Sequence, residues 1–456
     1  MQQLDLPTLE AILGASILAR PEGVAVPSLC GVASHTAHVR PGDAFVALAG
    51  ANGHGIDHAE AALAAGAALI ISDRPHPRAL LVRDAGAALA RLGQYARSQR
   101  RGPVIGITGS VGKTTTKTLL GAALDAFTSP GNINTPNALA GVLIEAWLHH
   151  DPDRPLVIEL GIDRRGEMAQ LLALVTPTHG VLTAIAEAHL AGIGTLADVA
   201  HEKGLLLDHA TRARYAAATA WPHLRDDQRA RSQRVAYGDE LASGVRLTYD
   251  PSAHRISLTS GAASVHLTPP GPGAPYADAA LLALRVALDL GVDAAEAARR
   301  IAAARPEAHR LQAHHLGALT LIDDAYNANP TSMAAALAVL AASPAPHAVV
   351  VGDMRELGSR SVAAHHQLGL DLNARSLERA WFVGPESLVA YQVADAVASR
   401  RHFTDTDAAL AHRHELPTRG SLLIKGSRSL GLERLVAALI ADHAGASATV
   451  SSGADA

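Results

Sequence analysis

Short apolar runs recur along the chain, each closed by glycine or polar residues and followed by an Ala- or Leu-rich stretch with helical spacing. Runs such as "PVIGIT", "RPLVIELG", "HGVLTAIA", "LTLIDDAYNANP", "HAVVVGDM", "AWFVG" and "GSLLIKGSR" are apolar throughout rather than alternating. That is the pattern of strands buried on both faces. Such strands separated by helices predict an α/β fold with parallel sheets covered on both sides.

Three blocks follow from this pattern. Residues 1–100 hold an apolar strand (Phe45 to Leu48), a Gly/Asn loop, an Ala-rich helix and a second strand (Leu69 to Ile71), predicting a small α/β N-terminal domain. The polar "SQRRGP" at 98–103 reads as a linker. Residues 101–308 open with "PVIGIT" and continue in βα alternation, predicting a parallel-sheet nucleotide domain. "VRLTYDPSAHRISLTSGAASVHLTPPGPG" adds short antiparallel strands at its end. Residues 309–443 repeat the strand–polar loop–helix order of a Rossmann-like unit. The small, polar residues of 444–456 are expected to be disordered.

Composition narrows the function classes. The chain has 456 residues, enough for about three domains at roughly 150 residues each. Apolar residues make up 48% and aromatics 3%, so the cores must be built from Ala, Leu and Val. A net charge of -4 gives no argument for nucleic acid or an anionic membrane as partner. The single cysteine, Cys30, excludes an intramolecular disulfide and a cysteine zinc cluster, and is expected to be a small buried hydrophobe. The N-terminus carries acids and no basic segment before an apolar run, a poor signal peptide, and no run of about 20 apolar residues predicts a membrane span. A soluble cytoplasmic protein is expected.

The candidate chemistry starts at "GPVIGITGSVGKTTTKTLLGAAL". A buried strand runs into Gly109, Ser110 and Gly112, then Lys113, Thr114 and Thr115 at a helix start. Glycines let backbone N–H groups curl around phosphate oxygens, and the helix N-terminus favours negative charge. Lys113 suits the β and γ phosphates, and the Thr114 hydroxyl suits Mg2+. The strict phosphate-loop spacing would place glycine where Ile107 stands. A nucleotide site also needs a carboxylate for the metal, and Glu159 ends a predicted strand, where open α/β sheets present ligands.

"GITGSVGKTTTK" resembles the ATP loop of the Mur ligases, whose pattern carries one residue more than the strict loop; the glycine at 106 rather than 107 is then a signature. "GNINTPNALAG", "ELGIDRRGEM", "AEAHLAGIGTLADVAHEKG", "DDAYNANPTSM", "VVGDMRELG" and "IKGSR" match in order over nearly the whole chain. "DDAYNANP" and "GDMRELG" most resemble the branch that adds D-alanyl-D-alanine to a UDP-N-acetylmuramoyl-tripeptide in peptidoglycan synthesis. The resemblance implies an ATP-dependent amide ligase: ATP phosphorylates the substrate's free carboxylate, and the amine of D-Ala-D-Ala displaces phosphate from the acyl phosphate.

The resemblance also implies roles. Lys113 and Thr114 match the phosphate and Mg2+ ligands; Glu159 and His189 match residues holding metal, two ions in all; Lys203 matches a carbamylated lysine that ligates the second. Asn132 matches an asparagine near the γ-phosphate. Arg310, Asn327, Asn329 and Asp353 match positions that hold adenine and ribose from the C-terminal domain. Lys425 and Arg428 are placed to face phosphate or the dipeptide carboxylate, for which Arg is well suited. ATP contacts split between two blocks imply closure about the region of Ala308 and exclusion of water from the acyl phosphate. The expected enzyme is a monomer.

The N-terminal block departs from the family. The usual Asp-[Ser/Thr]-Arg before "PGDAFVAL" is His35-Thr36-Ala37, and the Asp-Gly-His-x-Phe element survives as Gly53 and His54. Thr183-Ala184 replaces an asparagine pair typical of this branch. Thr36, Gly53 and His54 are therefore the candidate contacts to the UDP substrate. A Mur-type ligase acting on another acid and amine is the alternative. A nucleotide-dependent switch without ligation is disfavoured, since it would need neither His189 nor Lys203.

Overall fold

The computed structural model describes residues 4–21, 26–50, 53–131, 133–240 and 244–452, with side chains to residue 444. Asn132 falls outside the described residues.

The N-terminal sheet contains β1 (Ile17–Ala19), β2 (Val32–Ala33) and β3 (Ala44–Ala47). A small hairpin, β4 (Ala49–Gly50) and β5 (Gly53–His54), precedes β6 (Leu69–Ser72) and β7 (Ala79–Val82). The sheet order is β1-β7-β6-β3-β2, parallel except at β1. The helix Ala85–Ser98, capped by Asp84, packs on the helix Pro136–His149 of the next block. Gly93 makes the crossing possible: a Cβ there would lie 2.8 Å from that of Ala140. One apolar core consequently runs from Leu9 and Leu89 through Leu143 to Leu206.

The central sheet contains β8 (Val104–Thr108), β9 (Phe127–Thr128), β10 (Leu156–Glu159), β11 (His179–Leu182), β12 (Ala213–Ala217) and β13 (Gln233–Val235). All are parallel in the order β13-β12-β11-β8-β10-β9. The order reverses at β8, so the crevice at its carboxyl end is where an open α/β sheet receives a ligand. The antiparallel sheet of β14 (Arg246–Asp250), β15 (Arg255–Ser260) and β16 (Ala263–Leu267) follows as expected.

The C-terminal sheet comprises β17 (Gln312–Leu316), β18 (Leu319–Asp324), β19 (His347–Gly352), β20 (Leu377–Val383), β21 (Arg400–Phe403) and β22 (Gly420–Lys425). Its order is β17-β18-β22-β19-β20-β21, parallel except for the edge strand β17. The molecule thus has the α/β architecture with parallel sheets that the apolar runs predict.

One expectation is corrected. Cys30 is exposed: its backbone N–H pairs with Gly42, and its neighbour Leu29 takes the buried position. The last helix runs Glu433–Ser452.

Candidate active site

The phosphate loop leaves β8 at Thr108 and enters the helix Lys113–Leu124 through two glycines with positive φ, Gly109 (153°) and Gly112 (81°). The chain after β11 latches it down. Ser110 donates its N–H to the Ala184 carbonyl (2.8 Å) and its hydroxyl to Ala186 (2.9 Å), and the Thr183 hydroxyl donates to Val111 O (2.6 Å). Thr183-Ala184, the departure from the family pattern, is therefore the floor of the loop. A Cβ on Gly109 would lie 2.0 Å from Thr183 Oγ1.

Lys113 bends back so that Nζ donates to Gly109 O at 2.8 Å. Burial lowers its pKa, opposed by the charge of Glu159. Glu159, at the end of β10 and 2% exposed, accepts the Thr114 hydroxyl at 2.8 Å. Thr114 and Glu159 thus converge on one spot, a hard-oxygen pair suited to Mg2+. Thr115 follows as the third residue of the same helix. Lys117, one turn beyond Lys113, lies 3.9 Å from Glu159 and 3.7 Å from Glu307, and donates to Gly131 O.

His189 sits on the turn after β11 with φ 55°. Its Nδ1 is 3.1 Å from Asp163 and 2.6 Å from Glu356, which arrives from the C-terminal block with φ 67°. The side-chain ligand atoms of these three residues lie within 4.8 Å of one another. They line an open cavity of about 610 Å³ with Arg164, Glu167, Ala191 and Gly192. Arg360, paired with Glu187 at 3.0 Å, reinforces the same contact between blocks.

Lys203 lies in the helix Leu196–His209, with no solvent exposure and no hydrogen-bond partner for Nζ. Burial, then the nearby charge of Lys113, hold its pKa well below the usual lysine value. Burial without a hydrogen-bond partner disfavours the charged ammonium there, against the pull of Asp163, Glu159 and Glu202.

From the C-terminal block, Arg310 places its guanidinium carbon 3.9 Å from the Tyr326 ring centroid, and that of Arg428 is 5.6 Å away. Four other expected contacts are engaged internally. Lys425, expected to face substrate, is 1% exposed, bound to Asp324 (2.5 Å) and to the Asn327 carbonyl (2.8 Å). Asp353 is fully buried and accepts from Ser387 N (2.8 Å) and Arg355 (2.9 Å). Asn329 caps the helix Pro330–Ala341 through Ser332 N, and the Asn327 side chain accepts from Ala328 N. Their side chains shape the turn, as Asn and Asp do where strands meet helices.

In the N-terminal block, His54 is buried between Asp73 (Nε2, 2.8 Å) and the Ile56 amide, which donates to Nδ1 at 3.1 Å. It braces the hairpin containing Gly53 rather than presenting a free ring. Thr36 opens a short turn capped by His35.

Sequence reasoning missed Asp163, Lys117, Glu307, Glu356 and Tyr326. Lys117 had a signal, four residues from Lys113 on the same helix face. Glu356 had none, because its contact depends on how two blocks meet.

Residues 107–271 match the model of the Mur ligase middle domain, and residues 309–428 that of the Mur ligase glutamate ligase domain. The UDP-N-acetylmuramoyl-tripeptide–D-alanyl-D-alanine ligase of Escherichia coli is 31% identical over 433 residues, covering 90% of this chain and 94% of that protein. The chain belongs to the Mur ligase family. This Mur ligase is also 31% identical over 510 aligned positions to the Mycobacterium tuberculosis protein of the same name, covering 97% of this chain and 98% of that protein. Among solved structures, MurF from Acinetobacter baumannii matches with a TM-score of 0.79 and 27% identity, covering 96% of this chain and 98% of that one. MurF from Thermotoga maritima, solved in complex with ADP, matches with a TM-score of 0.73 and 25% identity, covering 90% and 96%.

Proposed function

We propose that this Mur ligase joins D-alanyl-D-alanine to UDP-N-acetylmuramoyl-tripeptide at the expense of ATP, giving UDP-MurNAc-pentapeptide, ADP and phosphate. The single observation that carries the chemistry is the convergence of Lys113, Thr114 and Glu159 at the switch point of the central sheet. The near full-length likeness to ligases of that name carries the substrate assignment.

A carboxylate is a poor electrophile. The γ-phosphoryl group of ATP passes to the tripeptide's terminal carboxylate, and the dipeptide amine then attacks the acyl carbon. The tetrahedral intermediate expels phosphate, which keeps one oxygen of the original carboxylate. Lys113 supplies positive charge to the phosphates, aided by the loop amides. Mg2+, when bound, neutralises charge on the phosphates. Thr114, Glu159 and His189 would hold it, with Lys203 as a carbamate. The burial of Lys203 without a hydrogen-bond partner suits that modification: the deprotonated amine adds to the carbon of CO2 and loses a proton, leaving an anion able to ligate metal.

The central and C-terminal blocks together take ATP, and the N-terminal block takes the uridine nucleotide near Thr36 and the Gly53–His54 hairpin. Asn327, Asn329 and Asp353 contribute to the nucleotide pocket through the turns they shape, Asn132 is assigned to the γ-phosphate on the family match alone, and Arg428 faces the incoming dipeptide. The enzyme acts as a cytoplasmic monomer; among the described residues no helix is long and apolar enough to cross a membrane. Incubating the purified protein with ATP, Mg2+, UDP-MurNAc-tripeptide and D-Ala-D-Ala tests the assignment. Pentapeptide and ADP in equal amounts are expected, whereas ADP release only with other acid and amine pairs would overturn the substrate assignment.

A further inference from the structure

Arg310 is presented by an unusual piece of backbone. The residues on either side of it, His309 (φ 62°) and Leu311 (φ 51°), both occupy the left-handed region. Positive φ is uncommon outside Gly, Asn, Asp and His and rarer still for a leucine, and a pair flanking one residue persists only when the surroundings hold it. Here each of the three residues is tied. The His309 ring lies 2.7 Å from Asp323 Oδ2, and its carbonyl accepts the Tyr326 N–H at 3.1 Å. The Arg310 carbonyl accepts the Tyr276 hydroxyl at 2.9 Å. Leu311 N–H donates to Asp324 Oδ1 at 3.1 Å, and Asp324 is itself pinned by Lys425.

The guanidinium emerging from this turn has no carboxylate partner among the described residues; its neighbour is the half-buried ring of Tyr326. It also lies close enough to Lys113 and Lys117 for its charge to act on both. Three cations from two blocks therefore converge beside the phosphate loop, and the one from the C-terminal block is steered by an aromatic face rather than by an acid. An acid would neutralise Arg310. A ring fixes the plane of the guanidinium while leaving its charge available to an anion.

We propose that Tyr326 is a positioning residue for the ligase reaction, holding the Arg310 guanidinium toward the phosphates of the bound nucleotide. Tyr326 thereby links the C-terminal block to the phosphate loop, and Lys425 and Asp324 act behind it as supports of the same turn. This inference rests on the ATP-dependent reading above but not on the identity of the acid or amine.

The test is a double-mutant cycle on ATP affinity, measured by calorimetry on the purified full chain with Mg2+ and no acceptor substrate. Tyr326→Leu removes the ring and keeps apolar bulk; it is expected to weaken ATP binding about three- to tenfold, the range of a partly desolvated cation–π contact. Tyr326→Phe keeps the face and should recover most of that loss. In an Arg310→Ala background, Tyr326→Leu should add less than about twofold, since nothing remains to position. A thermal melt of each variant checks folding, and Tyr326→Phe keeps the test decisive if the leucine variant is unstable. Multiplicative effects of the two substitutions, or a Tyr326→Phe variant as weak as Tyr326→Leu, would overturn the proposal. Coupling in this cycle together with no ligation of the muramyl substrates would remove the substrate assignment and leave the role of Tyr326 standing.

Discussion

Replacing Lys203 by Met should make the protein more stable and nearly inactive. The lysine amine is completely buried with no hydrogen-bond partner, and burial and Lys113 hold its pKa well below 10.5. A buried unsatisfied donor costs about 1–3 kcal/mol, and Met fills a similar volume without a polar atom. At about 2–4 °C per kcal/mol for a domain of this size, the melting temperature should rise by about 2–12 °C. The pH dependence has a definite sign. Between the unfolded value near 10.5 and the depressed folded value, the unfolded chain binds a proton that the native protein does not. The wild type therefore loses stability relative to Lys203→Met as pH falls through that window, and the difference is complete below the folded value. Bicarbonate should raise the wild-type melting temperature by converting the amine to a carbamate, and leave the variant unmoved. Turnover should drop by about 100-fold or more. Scanning calorimetry with and without bicarbonate, alongside a phosphate-release assay, reads all of this. A variant that melts lower than the wild type, or that keeps its turnover, would refute the reasoning.

Other expected outcomes follow from the same geometry. Glu159→Gln keeps an acceptor for Thr114 but removes the charge, so turnover should fall about 100- to 1000-fold and the Mg2+ requirement rise, with little change in melting temperature. Gly109→Ala places a methyl 2.0 Å from Thr183 Oγ1 at a φ of 153°, and should cost about 1–3 kcal/mol locally while abolishing ATP binding, read by calorimetry. Lys425→Met leaves the buried Asp324 without its ion partner and should destabilise by about 3–5 kcal/mol in urea unfolding; adding Asp324→Asn should recover part of the loss. Arg360→Ala breaks a pair in which the arginine is 58% exposed, and should change stability by less than about 1 kcal/mol.

What the sequence disclosed was local in origin. Apolar runs such as Val104–Thr108 and His347–Gly352 identify their strands because both faces are buried. The phosphate loop is legible because its glycines, lysine and threonine are consecutive. The roles of Lys425 and Glu356 were not, because they depend on contacts across the fold. Lys425 lies in register beside Asp324 across the pair β18–β22, a pairing set by tertiary topology. Glu356 meets His189 only where two blocks touch. His54 looked like a free ligand in an altered motif, yet Asp73, nineteen residues away, satisfies its ring.

The central claim is that Lys113 and its neighbours place ATP to activate a carboxylate rather than to drive a motion or a hydrolysis. The most direct measurement is transfer of oxygen-18 from the labelled terminal carboxylate of UDP-MurNAc-tripeptide during a single turnover with ATP and D-Ala-D-Ala. The acyl-phosphate route predicts one labelled oxygen in the released inorganic phosphate for each amide bond formed. Amide formation with unlabelled phosphate, or phosphate release without amide formation, would contradict it.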